Sequence, residues 1–163
     1  MPITLPPPPP AIVIQNDGGG LVNTYINKVE RYSAEGREVR IMGSCRSACV
    51  LYLGAKNVCV GPDAVIKAHQ AYEQDTGQLR PDVTLYMMNQ LPVRVSARLM
   101  PYITKHYNPQ STLGASELVS LGIKRCSPQD TVAAKDRKAD KPIEIRPGDP
   151  ITKALFYIFG VMK

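Results

Sequence analysis

Three features of this sequence predict an α/β domain with a mainly parallel sheet. The run Ala-Ile-Val-Ile-Gln over 11–15 is short and apolar, and Asn16-Asp17-Gly18-Gly19-Gly20 closes it with a sharp turn, as at the end of a buried strand. Leu21, Val22, Tyr25, Ile26, Val29 and Tyr32 then recur at helical spacing, with Gly36 as the stop. A second strand-like run, Glu38-Val39-Arg40-Ile41-Met42, follows. Strand, glycine turn, helix and strand make a βαβ unit, and that crossover places its two strands parallel.

The bulk properties bound the problem. A chain of 163 residues is most simply one domain with a proper core. At 44% hydrophobic and 21% charged residues it has a globular balance. With no Trp and two Phe, the core falls to Leu, Ile, Val, Ala and Tyr. The net charge of +6 is spread along the chain without a run of five or six like charges, which argues against a nucleic-acid groove. No stretch of 18 apolar residues is present, so no membrane span is expected. The N-terminus lacks a basic region, and prolines stand where a signal peptide has its apolar run. Cytoplasmic residence is therefore expected for the chain as written, and periplasmic residence if its true start lies upstream.

Residues 1–10 predict a stiff proline-rich arm. After the second strand, the stretch Gly43-Ser44-Cys45-Arg46-Ser47-Ala48-Cys49-Val50-Leu51-Tyr52-Leu53-Gly54-Ala55 reads as a tight turn entering a buried helix. Two short strands follow, Asn57–Val60 and Ala64–Ala68, separated by Gly61-Pro62-Asp63. Residues 70–82 read as a loop. A helical stretch over about 82–106 carries Leu85, Met88, Leu91, Val95, Leu99 and Ile103, with Pro92 and Pro101 kinking or dividing it. Asn108-Pro109-Gln110 breaks the chain, Ala115–Leu121 is a short helix stopped by Gly122, and Ile123–Cys126 is a last strand. Residues 127–150 read as a flexible polar tail, and 151–163 as an apolar C-terminal segment.

The chemistry centres on Ser47 and His69. A serine hydroxyl is a poor nucleophile until a base within hydrogen-bond reach takes its proton, and histidine is the usual base. The pair lies 22 residues apart, joined by one helix and two short strands, a route that can return His69 to the helix mouth. Taken singly, Ser47 reads as a helix cap and His69 as a polar strand-end residue. The Gly18-Gly19-Gly20 turn adds a second source of N–H groups that could face an oxyanion. It is neither a dinucleotide fingerprint nor a P-loop. Cys45, Cys49, Cys59 and Cys126 are an even number, open to disulfides or to roles as small buried residues. The Cys45–Cys49 spacing fits neither a redox CxxC nor a zinc half-site, so no metal is expected.

These motifs, taken in order, resemble the ClpP/crotonase superfamily. The likeness is greatest to ClpP-type serine peptidases and a related group of predicted bacterial periplasmic proteins. Gln15-Asn16-Asp17-Gly18-Gly19 stands where ClpP has Asn-Ser-Pro-Gly-Gly. Arg46-Ser47-Ala48 followed by Leu53-Gly54-Ala55 stands at the nucleophile turn, and Pro62 before Ala68-His69-Gln70 at the base. The Cys-x-Ser-Ala-Cys form of the turn is similar to the periplasmic group. The resemblance covers about residues 11–126 and implies a ClpP/crotonase-like spiral of βαβ units. It implies Ser47 as nucleophile, His69 as base, and Gly18 or Gly19 with Ala48 as the oxyanion hole. Where the family carries an Asp, this chain has Gln110 with Asn108 nearby, so an amide is expected to orient the imidazole. Where the family has a first strand and a long helix, this sequence shows ten proline-rich residues, as expected of a truncated relative or of a chain whose true start lies upstream.

The expected function is thus a serine hydrolase, a peptidase forming an acyl-enzyme on Ser47 with no cofactor, acting on peptide or protein and forming a homo-oligomer. The alternative is a catalytically degenerate ClpP-like scaffold that binds peptide or partner proteins. A third reading, acyl-CoA chemistry, requires a carboxylate pair that the pocket segments lack. A hydrolase requires Ser47 near His69, whereas a scaffold is expected to bury Ser47 or turn His69 away.

Overall fold

The first strand, β1 (Ile12–Asp17), buries Ile12 and Ile14 and opens the crossover that the glycine turn and helix α1 (Val22–Ala34) complete. The structure, a computed structural model, describes residues 1–128 and the segments Ala134–Lys135 and Ile158–Phe159. Helix α1 buries Val22, Tyr25, Ile26 and Tyr32 at helical spacing. It is followed by Gly36 at φ +66°, where a glycine meets no steric cost. A two-residue strand β2 (Gly20–Leu21) lies between β1 and α1.

The central strand is β3 (Val39–Arg46), which runs parallel to β1 with Ile14 beside Ile41. It extends four residues beyond the predicted end at Met42, so Gly43–Arg46 is strand and not turn. The register shifts between Ile14 and Asn16. There Gly43 approaches β1 so closely that a Cβ would lie 2.1 Å from the Gln15 carbonyl oxygen, which requires glycine.

The other edge of β3 is shared by two strands. Its first half pairs in parallel with β4 (Val58–Val60) and its second half with β5 (Val65–Lys67). The Gly61-Pro62-Asp63 turn carries the chain from one to the other, and the sheet curls as a result. Strand β6 (Thr112–Gly114) adds antiparallel to β5, and β7 (Lys124–Arg125) adds parallel to β4. Sequence patterning did not find β6, because three residues are too few to show a period. Strands β8 (Ala134–Lys135) and β9 (Ile158–Phe159) pair with β1 and β2. Apart from these pairs and Ser127–Pro128, the tail at 127–150 and the apolar segment at 151–163 lie outside the described residues.

A 3₁₀ helix, Ser47–Gly54, follows β3 and is buried on every side, with Ala48–Leu53 at most 1% exposed. Eight residues is long for this helix type, and the burial explains why the sequence there is apolar throughout and lacks amphipathic spacing. Tyr52 packs edge-on to Tyr25 at 5.5 Å and stacks on Tyr32 at 6.3 Å, fixing α1 against this helix.

The helical stretch predicted over 82–106 is two helices, α2 (Pro81–Asn89) and α3 (Val93–Leu99), with a 3₁₀ turn Met100–Tyr102. Pro92 lacks an N–H and disfavours helical geometry at Leu91, so the chain divides there. Residues 103–106 are not helical. The short helix α4 (Ala115–Ser120) ends before Gly122 at φ +101°.

All four cysteines are paired, Cys45 with Cys49 and Cys59 with Cys126. The second bridge ties β4 to the residue after β7. The described structure is therefore a mixed α/β domain with a curled, mostly parallel sheet. No helix among the described residues is long and apolar enough to cross a membrane.

Candidate active site

Ser47 stands where β3 becomes the 3₁₀ helix, with φ +62°, the only positive φ on a non-glycine residue among the described residues. A left-handed conformation costs such a residue roughly 1 kcal/mol or more and persists only where its surroundings enforce it. Two constraints enforce it here. The Cys45–Cys49 bridge brackets Ser47 in the chain, with Cα atoms 5.3 Å apart. Against Ser47 also lies Gly19, at φ +89°, where a Cβ would stand 2.4 Å from Ser47 Cβ and 2.9 Å from the Ala48 nitrogen. The glycine turn thus packs against the serine turn with no room for a side chain.

His69 follows β5. The Ala68 N–H donates to the Ser111 carbonyl and the Gln70 N–H to the Thr104 carbonyl, which fixes the segment on both sides of the imidazole. The ring lies face to face with Tyr72 at 6.0 Å and edge-on to Tyr107 at 4.7 Å. Its Nε2 is 3.1 Å from Ser47 Oγ, and its Nδ1 is 2.8 Å from the Gln70 carbonyl oxygen. A carbonyl only accepts, so Nδ1 carries the proton and Nε2 is left to accept from the serine. Burial holds His69 below its ordinary 6.5, against the Gln70 hydrogen bond, with His106 lowering it slightly further. The imidazole is neutral at pH 7.

Tyr107 completes the group. Its hydroxyl contacts Ser47 Oγ. Burial raises its pKa, against the Ser47 hydrogen bond and the charge of Arg46, so the phenol stays protonated and able to donate. Donation then runs from Tyr107 through Ser47 and His69 to the Gln70 carbonyl. Ser47 is 0% and His69 2% exposed, and Tyr107 lies over the serine. Sequence reasoning did not single out Tyr107. The only local signal was its position just before the Asn108-Pro109-Gln110 break.

The two amides expected to orient the imidazole are elsewhere. The Asn108 side chain caps the 3₁₀ turn Pro109–Ser111, accepting from the Ser111 N–H and donating to the Tyr102 carbonyl and Thr104 hydroxyl. Gln110 is exposed, and its main-chain carbonyl accepts from Arg98. Capping holds the Asn108 amide at its own turn, and the Gln70 main chain takes the Nδ1 position.

Of the expected oxyanion donors, Ala48 sits in the first turn of the 3₁₀ helix, where an N–H has no acceptor within the helix. The Gly19 N–H already donates to Asp17 Oδ1 at 2.9 Å, and the same oxygen accepts from the Tyr25 hydroxyl. Gly18 lies beneath the Arg46 guanidinium. A cavity of about 400 Å³ opens beside His69, lined by His69, Tyr72, Gly77, Lys105, His106 and Tyr107. No group of three His, Cys, Asp or Glu side chains suited to a metal ion occurs among the described residues.

Comparison of the chain with protein families, curated proteins and solved structures finds no match.

Proposed function

We propose that this protein is a serine hydrolase of ClpP/crotonase-like spiral fold, a peptidase acting through an acyl-enzyme on Ser47. The observation that carries this reading is Ser47 Oγ held 3.1 Å from the neutral Nε2 of His69 by a left-handed serine. In the reaction Ser47 Oγ attacks the substrate carbonyl as its proton passes to His69 Nε2. The N–H groups of Ala48 and Gly18 receive the oxyanion, since that of Gly19 is engaged by Asp17. The imidazolium returns its proton to the leaving amine, and water then releases the acyl group by the same base. The Gln70 carbonyl fixes the imidazole tautomer, but stabilises the imidazolium less than a carboxylate would.

For substrate to enter, Tyr107 must leave Ser47, and the cavity beside His69 is the space into which an apolar substrate group fits. The two disulfides suit an oxidising compartment such as the periplasm.

A second reading, a degenerate scaffold, is favoured by the complete burial of Ser47 beneath Tyr107 and by the lack of a carboxylate on His69. Acyl-CoA chemistry finds no support in the cavity beside His69, whose lining holds no acidic residue.

Labelling with a fluorophosphonate probe separates these readings. Wild type is expected to label, and Ser47→Ala and His69→Ala to lose labelling while melting cooperatively. A folded wild type that does not label overturns the hydrolase and leaves the scaffold.

A further inference from the structure

The residue immediately before Ser47 has no use in the mechanism above. Arg46 ends β3 and is half-buried, and its Nε is fully buried with no hydrogen-bond partner. The domain's other buried or half-buried arginines of this sheet and its helices are paired: Arg40 with Glu38, Arg80 with Glu73 and Asp82, Arg98 with Glu117. Among the described residues Arg46 has no acidic partner. An arginine Nε taken out of water without an acceptor is costly, and an anion docked on the same guanidinium offsets part of that cost.

Its position points at the reacting serine. The Arg46 Nη2 lies 3.5 Å from where a Cβ on Gly18 would stand, so the guanidinium covers the glycine turn next to Ser47. Its charge reaches the Tyr107 phenol, which contacts the same serine. A second cation shares the face. Lys67 is the register partner of Arg46 on β5, and it too has no acidic partner among the described residues. Register partners lie on one side of a sheet, and like charges there repel unless an anion comes between or beside them.

We propose that Arg46, with Lys67 beside it, is a carboxylate-binding subsite that selects acidic substrates for the Ser47 site. The planar fork of Arg46 fits a carboxylate with two parallel hydrogen bonds, and Lys67 adds attraction without geometric demand. The substrate class rests on the hydrolase reading: a peptide carrying a carboxylate close to the scissile carbonyl, either its free C-terminus or an Asp or Glu side chain.

Two readouts on the full chain test this separately from the hydrolase itself. The first is an NMR amide-shift titration with acetylglycine (a free C-terminal carboxylate), N-acetylglutamic α-amide with a free side-chain carboxylate, and neutral acetylglycinamide. The acids are expected to shift amides around Gly18 and Arg46–Ala48, and the neutral compound is not. Arg46→Gln should weaken acid binding roughly tenfold or more, as the loss of a charged hydrogen bond does, while Arg46→Lys retains part of it. The stronger of the two acids identifies which carboxylate is read. The second readout is the labelling rate with fluorophosphonates whose tether ends in a carboxylate or in its carboxamide. The carboxylate probe should react faster, with the difference shrinking in high salt and in Arg46→Gln.

Equal shifts by acid and neutral compound, or unchanged acid binding in a folded Arg46→Gln, overturn the subsite. Labelling without acid preference also overturns it and leaves the hydrolase standing. Acid binding that depends on Arg46, in a protein that never labels, supports the subsite and removes the hydrolase.

Discussion

His69 Nδ1 lies 2.8 Å from the main-chain carbonyl oxygen of Gln70, its neighbour in the chain. The imidazole is thus oriented by a group that no side-chain substitution can remove, while the Asn108 amide caps its own turn and Gln110 is exposed. Gln110→Ala is therefore expected to leave the fluorophosphonate labelling rate within about twofold, since surface changes of this kind rarely matter. Asn108→Ala should instead lower stability by about 1 kcal/mol through loss of its cap. Urea unfolding beside labelling kinetics checks both. A large loss of labelling in Gln110→Ala, without loss of fold, would restore that amide to the site.

The pH dependence follows from the same imidazole. Ser47 can give its proton only to neutral His69, and burial holds His69 below its ordinary 6.5. Labelling is expected to be at its plateau by neutral pH and to fall only under acidic conditions, with a midpoint below 6.5. The group also contributes to stability. The unfolded chain binds this proton more readily, so stability from the neutral imidazole is fully present above about pH 6.5. It is lost as pH falls through the lower folded value. Labelling rates and thermal melts across the acid range test this, and a labelling midpoint above 6.5 would contradict the burial argument.

Gly19 acts by having no side chain. A Cβ there would meet Ser47 Cβ at 2.4 Å, in a backbone conformation at φ +89° that alanine resists. Gly19→Ala is expected to cost more than about 1 kcal/mol of stability and to reduce labelling at least tenfold. Gly36, also at positive φ but with open space around it, is the control. Gly36→Ala should cost about 1 kcal/mol and leave labelling unchanged. Equal effects on labelling from both would remove the special role of Gly19.

The two disulfides should separate stability from chemistry. The bridge between Cys59 and Cys126 closes a separation of 67 positions, for which chain entropy gives about 4 kcal/mol; the bridge between Cys45 and Cys49 closes only 4, for about 2 kcal/mol. Yet the short bridge brackets Ser47. Replacing Cys45 and Cys49 together by Ala is expected to abolish labelling with the smaller loss of stability. Replacing Cys59 and Cys126 should give the larger loss of stability and retain labelling below the melting point. The reverse order of effects on labelling would show that the bracket does not hold the serine.

The apolar run at 11–15, the spacing through α1 and the stop at Gly36 were all readable from the chain, because they depend on local periodicity and on backbone freedom at single residues. Ser47 and His69 were readable as chemical types in suggestive places, and the curled sheet brings them together. Other features needed the folded chain. The end of β3 fell at Arg46 because its pairing with β5 continues past Met42. The identity of the Nδ1 partner, the Tyr107 cover and the cysteine pairing each join segments far apart in sequence or turn on a main-chain atom that has no signature. The Asn108 amide went to its own turn for a similar reason, since a cap is set by local geometry that outcompetes a distant ring. Residue type and period thus settled the longer elements and the serine and histidine that can do chemistry. Contacts across the sheet settled which of those side chains meet, because only packing fixes distances between residues that the chain itself leaves free.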